Sequence, residues 1–151
     1  MIDVAFYQLE RSPLEQVLPK LLEKTLDAGK RAVVIAGTIE RIESISSILW
    51  TSDPASWLPH GSMKDGKPEH QPIWLTTNLE NPNEASYLFL IDGASIQSLQ
   101  GFERCFDLFD GNDEEALQAA RTRWVSLKDV FDDCTYWVQN KHGIWEKRAF
   151  A

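Results

Sequence analysis

Arg31-Ala32-Val33-Val34-Ile35-Ala36 is an unbroken apolar run behind a single cation. A strand with one wet face alternates apolar and polar residues, whereas such a run reads as a strand covered on both faces, as in a parallel sheet. Upstream, residues 3–9 (Asp-Val-Ala-Phe-Tyr-Gln-Leu) form a second strand-like stretch. Between them, Leu14, Val17, Leu18, Leu21, Leu22 and Thr25 recur at helical spacing. Ser12-Pro13-Leu14-Glu15 supplies a start signal, with Ser12 as cap, Pro13 in the first turn and Glu15 closing a capping box. Gly29 is the expected C-terminal stop. Downstream, Gly37-Thr38 turns into a helix over 39–51 that carries Ile39, Ile42, Ile45, Ile48 and Leu49. Strand, helix, strand, helix implies a crossover connection and an α/β sheet.

The rest of the chain extends that reading. Residues 51–72 are rich in Pro, Gly, Ser and His and read as a long loop. Strands are expected at 73–77, 87–91, 102–109 and 133–140, and a third helix at 114–130 behind Asn112-Asp113. Asn140-Lys141-His142-Gly143 turns the chain back so that 144–148 pairs as a hairpin. With no repeat and no linker, residues 1–151 are expected to form a single α/β domain. Its expected architecture is a Rossmann-like, mixed but mostly parallel sheet flanked by helices, with a C-terminal hairpin.

Composition bounds the function. The chain has 15 basic and 23 acidic residues, a net charge of −8 and a pI near 4.8. That excess repels bare nucleic acid, whose binding needs a basic stripe to displace counterions. The charge is uneven: residues 121–151 sum to +2 and residues 1–120 to −10. No run approaches the ~20 apolar residues that span a bilayer. The opening Met1–Tyr7 shows no basic segment followed by an apolar one, so no signal peptide and a cytoplasmic location are expected. Cys105 and Cys134 are too few for a disulfide scaffold and fall in expected strands, where a thiol packs as a small hydrophobe.

No catalytic set emerges. Gly-x-Gly-x-x-Gly, the P-loop and Gly-x-Ser-x-Gly are absent, and His60, His70 and His142 are scattered relative to the cysteines. Asp110, Asp113, Glu114 and Glu115 are explained by a helix start. No catalytic residue, cofactor or metal is therefore expected, and a binding module is favoured. Two places suggest partners. Trp50 and Trp57 flank a Pro-containing turn, and exposed indoles are costly unless they fold back or meet a partner. On the third helix, Ala116, Leu117, Ala120, Trp124, Leu127 and Phe131 form an apolar stripe with Arg121, Arg123 and Lys128 beside it. Arg121 and Lys128 around Trp124 make a cationic rim suited to a carboxylate attached to an apolar group.

These residues carry a resemblance. Val4-Ala5-Phe6-Tyr7, Gly29-Lys30-Arg31-Ala32-Val33-Val34-Ile35, Ala119-Ala120-Arg121-Thr122-Arg123-Trp124 and Thr135-Tyr136-Trp137 occur in the expected order. The most specific stretch is Leu49-Trp50-Thr51-Ser52-Asp53-Pro54-Ala55-Ser56-Trp57-Leu58-Pro59-His60. Together the chain resembles the chi subunit of bacterial DNA polymerase III, a clamp-loader accessory family. The resemblance implies a non-catalytic Rossmann-like protein, a monomer alone, with two partner faces. One binds the small psi subunit as a heterodimer, through Trp50 and Trp57 with Leu58, Pro59 and His60 as neighbours. The other binds the acidic C-terminal tail of single-stranded DNA-binding protein, which ends in a Phe carboxylate, through Arg121, Trp124 and Lys128. Val125 stands where the family often has Lys, which removes one cation from that rim. Two other readings remain: a small nucleotide-binding protein or enzyme, and a homodimer built on the Trp50/Trp57 patch.

Overall fold

The computed structural model describes residues 2–51, 58–93, 101–128, 131 and 133–148. In chain order it contains β1 (Asp3–Leu9), α1 (Leu14–Asp27), β2 (Ala32–Ile35), α2 (Ile39–Thr51), β3 (Gly61–Ser62), β4 (Ile73–Thr76) and β5 (Tyr87–Ile91). It continues with β6 (Arg104–Asp110), α3 (Glu114–Leu127), β7 (Asp133–Gln139) and β8 (Trp145–Arg148). The strands form one sheet in the order β3-β4-β2-β5-β6-β1-β7-β8. Neighbours are parallel except in the antiparallel β7–β8 hairpin, where Tyr136 faces Arg148 and Trp137 faces Lys147.

The strand period of two sorts the core into two layers. Ala5 and Leu9, Ala32 and Val34, Phe89 and Ile91, and Phe106 and Leu108 face α1 and α2. Val4 and Phe6, Val33 and Ile35, Leu88 and Leu90, and Cys105 and Phe109 face α3. All four residues of β2 are buried, as the apolar run requires. Thr38 accepts the Arg41 backbone N–H at 3.1 Å and starts α2. Asp113 caps α3 through the Glu115 and Ala116 backbone N–H groups. α1 ends in a Schellman motif. Gly29 N–H donates to Leu26 and Lys30 N–H to Thr25, and Gly29 takes φ +75°.

Several expectations are corrected. Ser12 does not cap α1: Pro13 holds the cap position without a side-chain bond. Ser12 Oγ instead accepts from Gln139 Nε2 at 3.0 Å, while Gln139 Oε1 accepts the Arg11 and Ser12 backbone N–H groups. A tertiary clasp thus replaces the local box. The loop at 51–72 contains β3 and a 3₁₀ turn over Pro68–His70. The described α3 runs over Glu114–Leu127, and residues 129 and 130, expected to continue it, lie outside the described residues. Ile39, expected in the apolar stripe of α2, is 64 % exposed, and Ile42, Ile45 and Leu49 are the buried residues of that helix.

Candidate functional site

The third helix places its cations unequally. Positions 116, 120, 123 and 127 share one face by 3.6-residue periodicity, so Arg123 lies with Ala120 against the sheet. There its guanidinium grips Asp107 of β6 at 2.6 and 2.9 Å. The side chains are 13 % and 2 % exposed. Burial pushes the Asp107 carboxyl up, and the two hydrogen bonds and charge of Arg123 oppose that rise. Arg123 therefore anchors α3 and is not a rim cation, which corrects its placement beside Arg121 and Lys128.

With α3 held at this rotation, Trp124 wedges edge-on against Phe6 at 5.6 Å and Tyr136 at 6.0 Å between ring centroids. Arg121, one turn earlier, lines an open cleft of about 650 Å³. The cleft has an apolar floor of Leu117, Tyr136 and Val138. Tyr136 belongs to both the wedge and the floor, so Arg121 and Trp124 border one surface. Burial pushes the Tyr136 phenol up, Glu10 adds to that, and the charge of Arg121 pulls the other way. Lys128 is the exposed C-cap of α3 and does not line this cleft. It stands seven residues beyond Arg121, about 10 Å along the helix axis.

The second expected surface lies on the other face of the sheet, at the end of α2. Trp50 is 62 % exposed, and its ring meets that of His60 at 4.6 Å. His60 is buried and fixed at both nitrogens. Nδ1 donates to the Leu58 carbonyl at 2.7 Å, and Nε2 meets the Ser46 hydroxyl at 3.0 Å. Leu58 is buried in the α1–α2 layer, and Pro59 is half-buried. His60, held by the Leu58 carbonyl, therefore supports the Trp50 ring. Trp57 lies outside the described residues.

A second cleft, of about 880 Å³, opens where β1 and β6 end against the starts of α1 and α3. Open parallel sheets bind nucleotides at such a place. Here Glu10, Glu15, Asp92, Asp110, Asp113 and Glu115 line it against Arg11 and Arg41. Arg41 is already held by Asp92 at 2.7 Å and Glu15 at 3.3 Å. The α3 N-terminus is filled by the Asp113 carboxylate. This electrostatic setting opposes a phosphate. The thiols are apart as well: Val4 on β1 pairs with Cys105 on one side and Cys134 on the other. Two inter-strand spacings put their Cα atoms roughly 9–10 Å apart, beyond disulfide reach. No group of three or more His, Cys, Asp or Glu side chains among the described residues could hold a metal ion.

Reading α3 as a single amphipathic stripe missed the Asp107–Arg123 pair. Its signal was the carboxylate of Asp107 inside the apolar stretch 105–109 and an arginine at core spacing. The hairpin's share of the Arg121 cleft was also missed, because it depends on the order of strands.

The profile of the family described as "DNA polymerase III chi subunit, HolC" matches residues 1–131. A relative in Rickettsia prowazekii (strain Madrid E), named "Probable DNA polymerase III subunit chi", is 28 % identical over 159 residues. That alignment spans 99 % of this chain and 93 % of the relative. A match over this much of the chain leaves one conclusion: the protein belongs to the DNA polymerase III chi subunit family.

Proposed function

We propose that this chi-family protein is a non-catalytic adaptor, which joins the acidic tail of single-stranded DNA-binding protein to the clamp loader through a psi-type subunit. The observation that carries the reading is the placement of two unlike surfaces on opposite faces of one sheet. A cation- and aromatic-lined cleft lies on the α3 face, and an exposed indole ends α2 on the other. From β3, next to His60, to β8, at the cleft, the sheet counts eight strands. That span is roughly 30 Å at the usual inter-strand spacing. Two partners can then be held without competing.

The surfaces suit different chemistry. An acidic peptide ending in a carboxylate needs cations and a pocket for its last side chain. Arg121, Trp124 and Tyr136 supply these, with Lys128 as an outlying cation. A small apolar partner needs a projecting aromatic on a rigid base, as Trp50 offers over His60. The test is a titration of labelled tail peptide at low and high salt. Binding that weakens with salt, and is lost when the terminal Phe is removed, is expected. No binding at low salt overturns the tail assignment.

A further inference from the structure

We propose that the β7–β8 hairpin supplies part of the tail site, with Arg148 and Lys141 as peptide-contacting cations beside Arg121. This rests on the adaptor reading and extends it to residues beyond the family match, which ends at residue 131.

The argument begins with strand geometry. Residues paired across an antiparallel ladder point to the same face. Tyr136 pairs with Arg148 and Val138 with Glu146, and Tyr136 and Val138 belong to the α3-side layer. Arg148 and Glu146 therefore rise over the cleft floor, and both line the cleft. Trp137 pairs with Lys147 and belongs to the opposite layer, so Lys147 points away. The Asn140–Gly143 turn brings Lys141 to the rim, and Arg11, just past β1, reaches it from the far side.

Four cations from three chain segments thus converge on an apolar floor, in a chain whose net charge is −8. The lining carboxylates, Glu10 and Glu146, are fewer. Glu146 meets Arg148 at 3.0 Å and accepts from Asn140 at 3.0 Å. Those bonds hold its carboxyl below the usual range. The arrangement fits an extended acidic peptide whose last side chain sits on Leu117 and Val138 and whose carboxylates meet the rim. Glu146 occupies Arg148 until a ligand carboxylate replaces it.

The experiment uses the full chain and an acidic peptide ending in Phe with a free carboxylate, its amidated twin serving as control. Arg148→Ala and Lys141→Ala are each expected to weaken binding roughly fivefold, the scale of one partly exposed charge pair. Lys147→Ala removes the same charge from the other face and is expected to change affinity by less than about twofold. Glu146→Gln releases Arg148 and is expected to tighten binding. All four positions are exposed, and unchanged melting curves confirm the fold. Equal effects of Arg148→Ala and Lys147→Ala, or no effect of either, with the unaltered chain still binding, overturn the hairpin's role and leave the adaptor reading standing. Failure of the unaltered chain to bind removes both.

Discussion

Arg123 shows how much one side chain decides. A buried pair broken on one side leaves an uncompensated charge, at a cost of about 3–5 kcal/mol. Arg123→Ala is expected to lose stability on that scale in urea unfolding at neutral pH. Replacing both partners, Asp107→Leu with Arg123→Met, is expected to recover most of it. The loss from Arg123→Ala also depends on pH. Burial raises the Asp107 carboxyl, and without Arg123 nothing on that pair opposes the rise. The native state then binds a proton that the unfolded chain, with a carboxyl near ~3.9, does not. Stability of the variant therefore increases as pH falls through the raised native value toward ~4, and its deficit narrows. A deficit independent of pH would mean that Asp107 is not the residue left charged. The cysteines give a second prediction. Burial holds the Cys105 thiol well above its ordinary value and pushes Cys134 to about 11. Alkylation of both is expected to be slow in the native protein and fast in urea, with no disulfide on oxidation.

The elements differ in how openly the sequence declared them. The bounds of the helix at 39–51 were legible, because Thr38 caps locally and Ile42, Ile45 and Leu49 keep period, while the exposure of Ile39 was not. The start of α1 was not, because Ser12 answers to Gln139, 127 positions away. No local pattern encodes that bond. β3 is two residues long and has no periodicity to read. On α3, helical spacing grouped Arg121, Trp124 and Lys128, and the structure puts Arg121 in the cleft lining but neither Trp124 nor Lys128, a distinction that spacing alone does not carry. α3 depends on its cap. Asp113→Ala removes two side-chain bonds at its N-terminus and is expected to cost about 1 kcal/mol. Thermal unfolding checks this. Because Leu117 lies in the first turn of α3, the same variant is expected to weaken tail-peptide binding without affecting a psi-type partner.

At the scale of the whole molecule, the adaptor reading makes the two faces independent. Trp57→Ala is expected to abolish psi binding and keep tail binding, and Arg121→Ala to do the reverse. On the adaptor reading each partner has its own face, so saturating one partner is expected to leave the other's affinity unchanged in calorimetry. A shift in either direction would reveal coupling through the sheet. The α/β class was legible in the sequence because buried parallel strands announce themselves as apolar runs. The strand order was not, because it is set by pairings between segments far apart in the chain.

One such pairing reaches beyond the finished protein. β1 lies between β6 and β7, with Asp3 matched to Arg104 and to Asp133. β1 thus waits for sheet neighbours that lie about 101 and 130 positions further along the chain, at Arg104 and Asp133. Contacts so remote slow folding, and an unpaired apolar strand invites association with other chains. During synthesis Val4, Ala5 and Phe6 stay without sheet neighbours until those distant strands follow. A chain that stops before β7 exposes the edge of β1 that β7 covers in the native sheet, which is a site for pairing with other chains.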